Sequence, residues 1–470
     1  MGNNWTQAKL GDYVESCLGK MLDKNKNTGE YHPYLGNSNV RWGAFELDDL
    51  SEMKFEAHEH DRYGIIKGDL IICEGGEPGR CAIWEDDIPN MKIQKALHRV
   101  RPLSGLDSEY LYYWFLFSTR AGHIDPFFTG TTIKHLTGKA LKEIPIKIPP
   151  LKYQQDGAKL LRGLDKKIIL NQKTNQTLDQ MAQALFKSWF VDFDPVVDNA
   201  LDAGFFEQDL ALPDELLRRA EARRAVRERG DVKPLPDATR QLFPTAFEDG
   251  AEPSLGLGGW VPQGWKITML DEITCELRRG VSPKYVEEGG VQVINQKCIR
   301  NHEVSYEPAR RHNHEAKKID GRELCIGDVL VNSTGVGTLG RIAQVNNLPE
   351  TTVVDSHVTV VRVKDDVCPI YTFGQLMLSM EGKIERLGEG STGQTELSRK
   401  ILSEQLVILP PFDIAAQVEK TFKSFSEKQV SNRKQCSTLT NLRDTLLPKL
   451  ISGELRLDQI EADLAKEGMA

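Results

Sequence analysis

Residues 5–150 and 265–411 carry one pattern twice, and this duplication narrows the possible folds more than any other feature of the 470-residue chain. Trp5, Leu10 and Asp12 match Trp265, Leu270 and Glu272 at an offset of 260, while Gly68 and Asp69 match Gly327 and Asp328 at 259. The loop 130–136 matches 391–397, and the run ending in Pro149 and Pro150 matches the run ending in Pro410 and Pro411, both at 261. An offset that drifts by only two residues over the whole repeat marks one architecture used twice, as expected of a chain that meets two similar halves of a partner.

Within each copy, short β-type runs alternate with glycine turns, at 69–73, 80–84 and 97–100 in the first and at 328–331, 341–345 and 357–363 in the second. An apolar, aromatic helix candidate follows at 110–118 and again at 371–380. These patterns predict an α+β fold, with globular domains at 1–150 and 260–411 that each hold their own core. After each proline pair the period becomes helical. Leu161, Leu164, Ile168, Asn171, Asn175, Leu178, Ala182, Leu185 and Trp189 stand alternately three and four apart, the spacing of a coiled-coil seam. Phe422, Phe425, Gln429, Asn432, Cys436, Leu439, Arg443, Leu446 and Leu450 repeat it in the second copy. Two long helices are therefore expected, one at 151–193 and one within 412–470 ahead of a C-terminal tail. As an antiparallel pair they would act as a spacer in an internal pseudo-twofold repeat, since about 35 helical residues span about 50 Å. The seam asparagines either fix its register at some cost in stability or lie at its solvated edge.

Residues 194–259, punctuated by prolines and holding one helix candidate at 213–229, read as a connector between the repeats. They carry 14 acidic and 8 basic residues, a net of -6, and residues 453–470 carry 5 and 2, a net of -3; the remainder of a chain of net charge -8 is therefore about +1. Binding to nucleic acid depends on local cations facing phosphates, so this balance permits a DNA partner without demanding one. The polar start lacks a signal-peptide core, and no window reaches the length of a membrane span. Eight cysteines without a C-x-x-C pair or metal-ligand spacing read as reduced thiols of a cytoplasmic protein.

Several motifs resolve into ordinary structure. Gly335, Gly337 and Gly340 fit G-x-G-x-x-G, but the strand pattern 341–345 follows where a dinucleotide site needs a helix N-terminus, so a hairpin loop is expected. Leu409-Pro410-Pro411-Phe412 approximates the D/N-P-P-Y/F signature of amino-methyltransferases, yet leucine replaces the acceptor of the target amine. No phosphate-binding G-x-x-x-x-G-K-[ST] loop occurs. His98 and His357 stand in matching places before strand runs and read as structural histidines. The polar loops of each copy offer donors to phosphates and base edges: Gly75, Gly76, Arg80, Thr129, Thr131, Thr132, Lys134 and His135 in the first, and Ser333, Thr334, Gly335, Arg341, Ser391, Thr392 and Gln394 in the second.

The duplication, the two proline junctions, the helix segments around Leu164–Ile168 and Leu446–Gly453, the stretch from Leu185 to Pro195, the run Leu242–Phe247 and the loop Gly390–Ser398 together resemble the specificity subunit of type I restriction-modification systems over nearly the whole chain. The resemblance implies two target-recognition domains that each read one half of an asymmetric bipartite DNA site. It further implies two modification subunits docked on the helices, which bind S-adenosylmethionine and methylate adenine. Two motor-nuclease subunits using ATP and magnesium would complete the complex. No catalytic residue, cofactor or metal is expected in this chain itself. Tyr153 stands before Gln154 where the family often has glutamate before the glutamine, and the junction from Phe412 to Gln417 is spaced differently, so the contacts at those two helix starts are expected to differ from the family's. Two other readings are a chain that itself methylates or cuts DNA, which would act without partners, and a protein-binding scaffold, whose complexes would lack sequence preference.

Overall fold

The β-branched runs of both repeats form antiparallel sheets with one strand order. In the computed structural model, which describes residues 5–23, 27–85, 87–230, 234–388 and 396–456, the first sheet runs Val14–Leu18, Leu97–Pro102, Leu70–Cys73, Cys81–Ile83. The second runs Thr274–Arg279, Val358–Val363, Val329–Asn332, Ile342–Gln344. The first and last strands of each repeat also pair, Thr6–Lys9 with Pro145–Ile148 and Lys266–Met269 with Leu406–Leu409, closing each repeat just before its prolines. A smaller sheet recurs too: Glu30–Leu35 pairs antiparallel with Glu52–Phe55 and parallel with Lys92–Ile93, and Val291–Ile294 does the same with Arg310–His312 and Thr352–Val354. The aromatic helices fall at Ser108–Arg120 and Ile370–Ser379.

Alternation places one face of each main sheet against its helix. Leu70, Ile72 and Val100 pack with Tyr110, Leu111 and Phe115, whereas Ile71, Cys73 and Leu97 turn to a second cluster with Trp84 and Ile93. Burial on both faces explains why these strands are short apolar runs. Beside each sheet a buried aspartate is held by an arginine fork from the neighbouring strand. Arg101 donates from Nε and Nη2 to Asp69 at 2.7 and 2.8 Å, and Arg362 does the same to Asp328 at 2.6 and 2.8 Å. Each carboxylate also accepts the backbone N–H three residues before it, of Ile66 and of Cys325.

Strand register corrects the histidine alignment. Leu97 pairs with Cys73 as Val358 pairs with Asn332, so the counterpart of His98 is Thr359, and His357 corresponds to Ala96. Buried His98 bonds Leu136 O through Nε2 at 2.8 Å, and burial lowers its pKa. His357 is exposed and bonds the Thr334 hydroxyl at 2.8 Å. The two histidines share no role, because a two-residue shift on a strand keeps the face but changes the neighbour.

The chain divides into two compact units, one reaching Asn171 and resuming at Gln435, the other running from Gln172 to Lys434. The long helices, Leu151–Phe186 and Phe412–Ser452, each contribute to both units. Within the first unit they pack antiparallel. Tyr153 Oη bonds Leu450 O, Asp165 accepts from Arg443 Nη1 at 2.8 Å, and Asn171 Nδ2 donates to Gln435 Oε1 at 2.7 Å. Asp165 also accepts the Tyr113 hydroxyl at 2.7 Å, so one carboxylate ties the aromatic helix to both long helices. Leu161, Ile168 and Leu450 are buried along this contact, with Leu164, Leu439 and Leu446 half-buried.

Within the second unit the helices are again antiparallel. Asn175 bonds Gln429 twice, side chain to carbonyl in each direction at 3.1 Å, and its Oδ1 accepts from Asn432 Nδ2 at 2.8 Å. Leu178, Leu185, Trp189 and Phe425 are half-buried, and Phe186 packs near Phe422. Asn171, Asn175 and Asn432 are 3, 8 and 3% exposed, which decides against a solvated edge. The first helix ends in a wider turn at Lys187–Val191 and breaks at Phe193, whose φ of 53° is left-handed; Pro195 then opens the next helix.

The connector is a folded part of the second unit. Asp194, Asp198 and Asp202 on one helix meet Arg219, Arg223 and Arg227 on the helix Asp214–Arg229, an ion-pair ladder set by the shared four-residue spacing. Phe193, Val197, Phe205, Leu216 and Phe247 join the same core as Trp265.

Replacing Asn432 by Ala would leave Asn175 Oδ1 without its partner and is expected to cost about 1–3 kcal/mol. Replacing Asn175 and Asn432 together by Leu would recover most of that loss. Urea midpoints of the three proteins check this; a double variant no better than the single one would refute the buried pairing.

Candidate nucleic-acid interface

In the first repeat two loops leave the same end of the main sheet. The hairpin between Leu70–Cys73 and Cys81–Ile83 carries Gly75, Gly76 and Arg80; Gly76 and Gly79 have φ of 76° and 91°, and a Cβ on Gly79 would stand 2.7 Å from Ile124. The second loop is pinched by Thr129 and His135, which exchange backbone hydrogen bonds at 2.8 Å in both directions. Gly130, at φ 94°, has no room for a Cβ, which would meet Ile133 O at 2.2 Å. Leu136 N donates to Glu74 O at 2.7 Å, and Gly75 lies against the His135 ring, so the two loops form one surface.

On that surface Thr129, Thr131, Thr132, Lys134 and His135 are exposed, with Lys134 over the Phe128 ring. Arg80 instead folds back. It bonds Glu77 Oε2 at 3.1 Å and Asn37 O at 3.1 Å, and Glu77 also accepts from Trp42 Nε1 at 2.7 Å. Arg80 therefore braces the loop.

The second repeat makes the same junction: Leu397 N donates to Ser333 O at 2.9 Å, as Leu136 N does to Glu74 O. Thr334 is half-buried and bonded to His357, and Gly335 has φ 104°. Arg341 Nη2 donates to Gly337 O at 2.7 Å, bracing the loop from its other side. Val336, 78% exposed, forms the tip. Ser333 is fully buried and its hydroxyl bonds Thr359 Oγ1 at 2.6 Å, so it belongs to the framework and presents no donor to a ligand. Ser391, Thr392 and Gln394 lie outside the described residues. The hairpin expected at Gly335–Gly340 forms, between Val329–Asn332 and Ile342–Gln344.

Three positioning residues belong to no sequence motif. Gln296 accepts from Thr338 Oγ1 at 3.5 Å, and its carbonyl accepts from Asn332 Nδ2 at 3.1 Å beneath the hairpin. Arg279 donates to Ser356 O, Leu397 O and Glu396 Oε1 at 2.8–3.0 Å, holding the returning strand. His302 lies between Asp179 of the first long helix, at 3.1 Å, and Glu381, at 3.7 Å. Hydrogen bonds to these two carboxylates raise its pKa to about 10 against the opposing effect of burial. Next to it, Glu303 pairs with Arg433 of the second long helix, so this turn fastens the repeat to both helices within the unit. No helix among the described residues is long and apolar enough to cross a membrane.

Residues 2–180 match the family described as the Type I restriction modification DNA specificity domain. Over 481 residues the chain is 24% identical to the Type I restriction enzyme HindI specificity subunit of Haemophilus influenzae, covering 96% of this chain and 100% of that one. Over 406 residues it is 23% identical to the Type I restriction enzyme MjaIX specificity subunit of Methanocaldococcus jannaschii, covering 84% and 79%. The type I restriction-modification S subunit from M. genitalium shares the fold, with a TM-score of 0.54 at 16% identity over 96% of both chains. The duplicated α+β frame and its paired loops thus accompany a match to a DNA specificity domain. Residues 2–180 carry the match to that specificity domain, and the chain as a whole is similar to type I restriction enzyme specificity subunits.

Two outcomes follow from this geometry. A raised histidine pKa stabilises the fold fully below the unfolded value, near 6.5, and the benefit fades as pH rises through about 10. The urea midpoint of the parent should therefore exceed that of His302→Gln most below pH 6.5, with the gap closing toward pH 10; a gap independent of pH would exclude the charged sandwich. Gly335→Ala would place a Cβ 2.4 Å from Thr338 Oγ1 and 2.6 Å from Gln296 Oε1 at a left-handed φ. If this hairpin meets DNA, the substitution should lower methylation of the target at least about tenfold, a cost of about 1.4 kcal/mol, while the backbone strain lowers the thermal midpoint by only a few degrees.

Proposed function

We propose that this chain is the sequence-reading subunit of a type I restriction-modification complex and that each repeat reads one half of an asymmetric, two-part DNA target. The observation that carries this reading is a frame repeated to single hydrogen bonds, Asp69 with Arg101 and Asp328 with Arg362, beneath hairpins that differ in every exposed side chain. A shared frame gives two heads one way of approaching a duplex, and different loop side chains give them different bases to prefer.

On this reading the exposed loop residues Thr129, Thr131, Thr132, Lys134 and His135 serve the first half-site, and the hairpin around Val336 serves the second. The long helices hold two modification subunits, with two restriction subunits completing the assembly in the cytoplasm. S-adenosylmethionine, ATP and magnesium belong to those partners, and this chain supplies position and sequence choice.

Methylated-base sequencing of DNA from a host that expresses this chain with its modification subunit tests the assignment. Methyladenine in an asymmetric bipartite motif that disappears when the chain is omitted is the expected outcome. An unchanged methylation pattern in a complex that still assembles and methylates would remove the recognition role.

A further inference from the structure

The repeats share a frame but carry opposite charge on the strand that pairs antiparallel with the central strand of the smaller sheet. Arg310–His312 and the segment after it, to 322, hold five basic and two acidic residues, a net of +3. Glu52–Phe55 occupies the same topological place in the first repeat, and residues 51–63 hold two basic and four acidic, a net of -2. The chain's overall excess of acid hides this contrast.

Neighbouring acids leave much of the positive charge unspent. Arg311 is consumed by a two-pronged pair with Glu350 at 2.9 and 2.8 Å. Lys317 and Arg322, by contrast, donate only to backbone carbonyls, Ser282 O at 2.8 Å and Arg279 O at 3.4 Å. Lys284 and Lys318 are exposed, and among the described residues no carboxylate forms an ion pair with Lys284, Lys317, Lys318 or Arg322. In the first repeat, Glu59 of the matching segment is paired with Lys20, and Lys54 and Arg62 lie over the Tyr31 and Tyr63 rings.

The basic cluster borders the candidate reading loops. Arg322 bonds the carbonyl of Arg279, whose own guanidinium holds Glu396 and Leu397, and Leu397 N bonds Ser333 at the root of the hairpin. Cations one side chain away from a sequence-reading loop are placed to meet the phosphates that flank the bases being read.

We infer that Lys284, Lys317, Lys318 and Arg322 form a phosphate-backbone anchor confined to the second repeat, so that this half of the protein supplies the larger share of salt-dependent affinity. The inference rests on the DNA-reading function proposed above. Each phosphate contact adds about 0.9 to the slope of log affinity against log salt, so affinity lost with this anchor is independent of sequence.

The test is binding of the assembled modification complex to target and non-target duplexes over a salt series. Lys317→Gln, Lys318→Gln and Arg322→Gln combined should flatten the slope by about 2–3, weaken both duplexes by the same factor and leave the methylated motif unchanged. Lys317→Arg, Lys318→Arg and Arg322→Lys combined should keep the parental slope, which separates loss of charge from misfolding. Lys54→Gln with Arg62→Gln in the first repeat should also keep it. An unaltered slope in the glutamine variant, a changed motif, or failure to assemble with modification subunits would each overturn the anchor. A parental complex without preference for its target would instead overturn the proposed function.

Discussion

The recognition frame of each repeat depends on a buried carboxylate matched by an arginine fork. Asp69 and Asp328 are wholly buried, and removing an aspartate from water is tolerable only when every lone pair is engaged. The fork from Arg101 or Arg362 and the N–H of Ile66 or Cys325 meet that need, and in doing so they fix the turn that leads into the strand bearing the glycine hairpin. Arg362 is held more firmly protonated by hydrogen bonding to Asp328, with Glu276 adding to the field. Removing one partner would strand a charge in a low-dielectric interior, so this triangle resists drift while the loops above it are free to vary.

A second polar device sits in the helix seam. An all-leucine seam could slide by a heptad at little cost, whereas Asn175, matched to Gln429 and Asn432, satisfies its hydrogen bonds in one register only. Asn171 with Gln435 serves the first unit in the same way. Each repeat then fastens to the helices differently. The first uses Asp165 to collect Tyr113 and Arg443, while the second uses Glu419 of the long helix to accept the N–H groups of Tyr371 and Thr372. In the first repeat that helix start is capped by its own Asp107, and Gln154, next to the Tyr153 that departs from the family pattern, bonds Asp107 N, Gly105 O and Pro149 O.

The frame was legible because duplication reveals it. Apolar runs and glycine turns that recur at nearly one offset place the strands within a residue or two, and the three-four spacing of the long helices needs only local chemistry. Glu15, Asp69 and Arg101 recur as Glu276, Asp328 and Arg362, so asking which charges survive the repeat would have found the buried fork as well. His98 and His357 misled because similar letters near a strand start do not reveal pairing partners, which only the ladder defines. The site was less legible. Arg80, Arg341 and Ser333 have the composition of ligand-binding residues, but their donors turn inward because exposed glycine hairpins need bracing. The connector concealed its packing because its helix surface is mostly charged, and its arginines only make sense beside Asp194, Asp198 and Asp202.

On the proposed function, a protein that reads two different half-sites must keep specificity apart from stability. Here the separation follows from depth: what repeats lies in strands, forks and the Leu136 and Leu397 junctions, and what differs lies in side chains at hairpin tips with little packing to lose. Substitution of Thr131 or Val336 removes no buried contact, so such positions can vary without unfolding the domain that carries them. Substitution of Gly335 or Arg341 alters where the tip points. The duplicated frame thus gives two independently variable surfaces, and on the proposed function an asymmetric target is the natural product of their divergence.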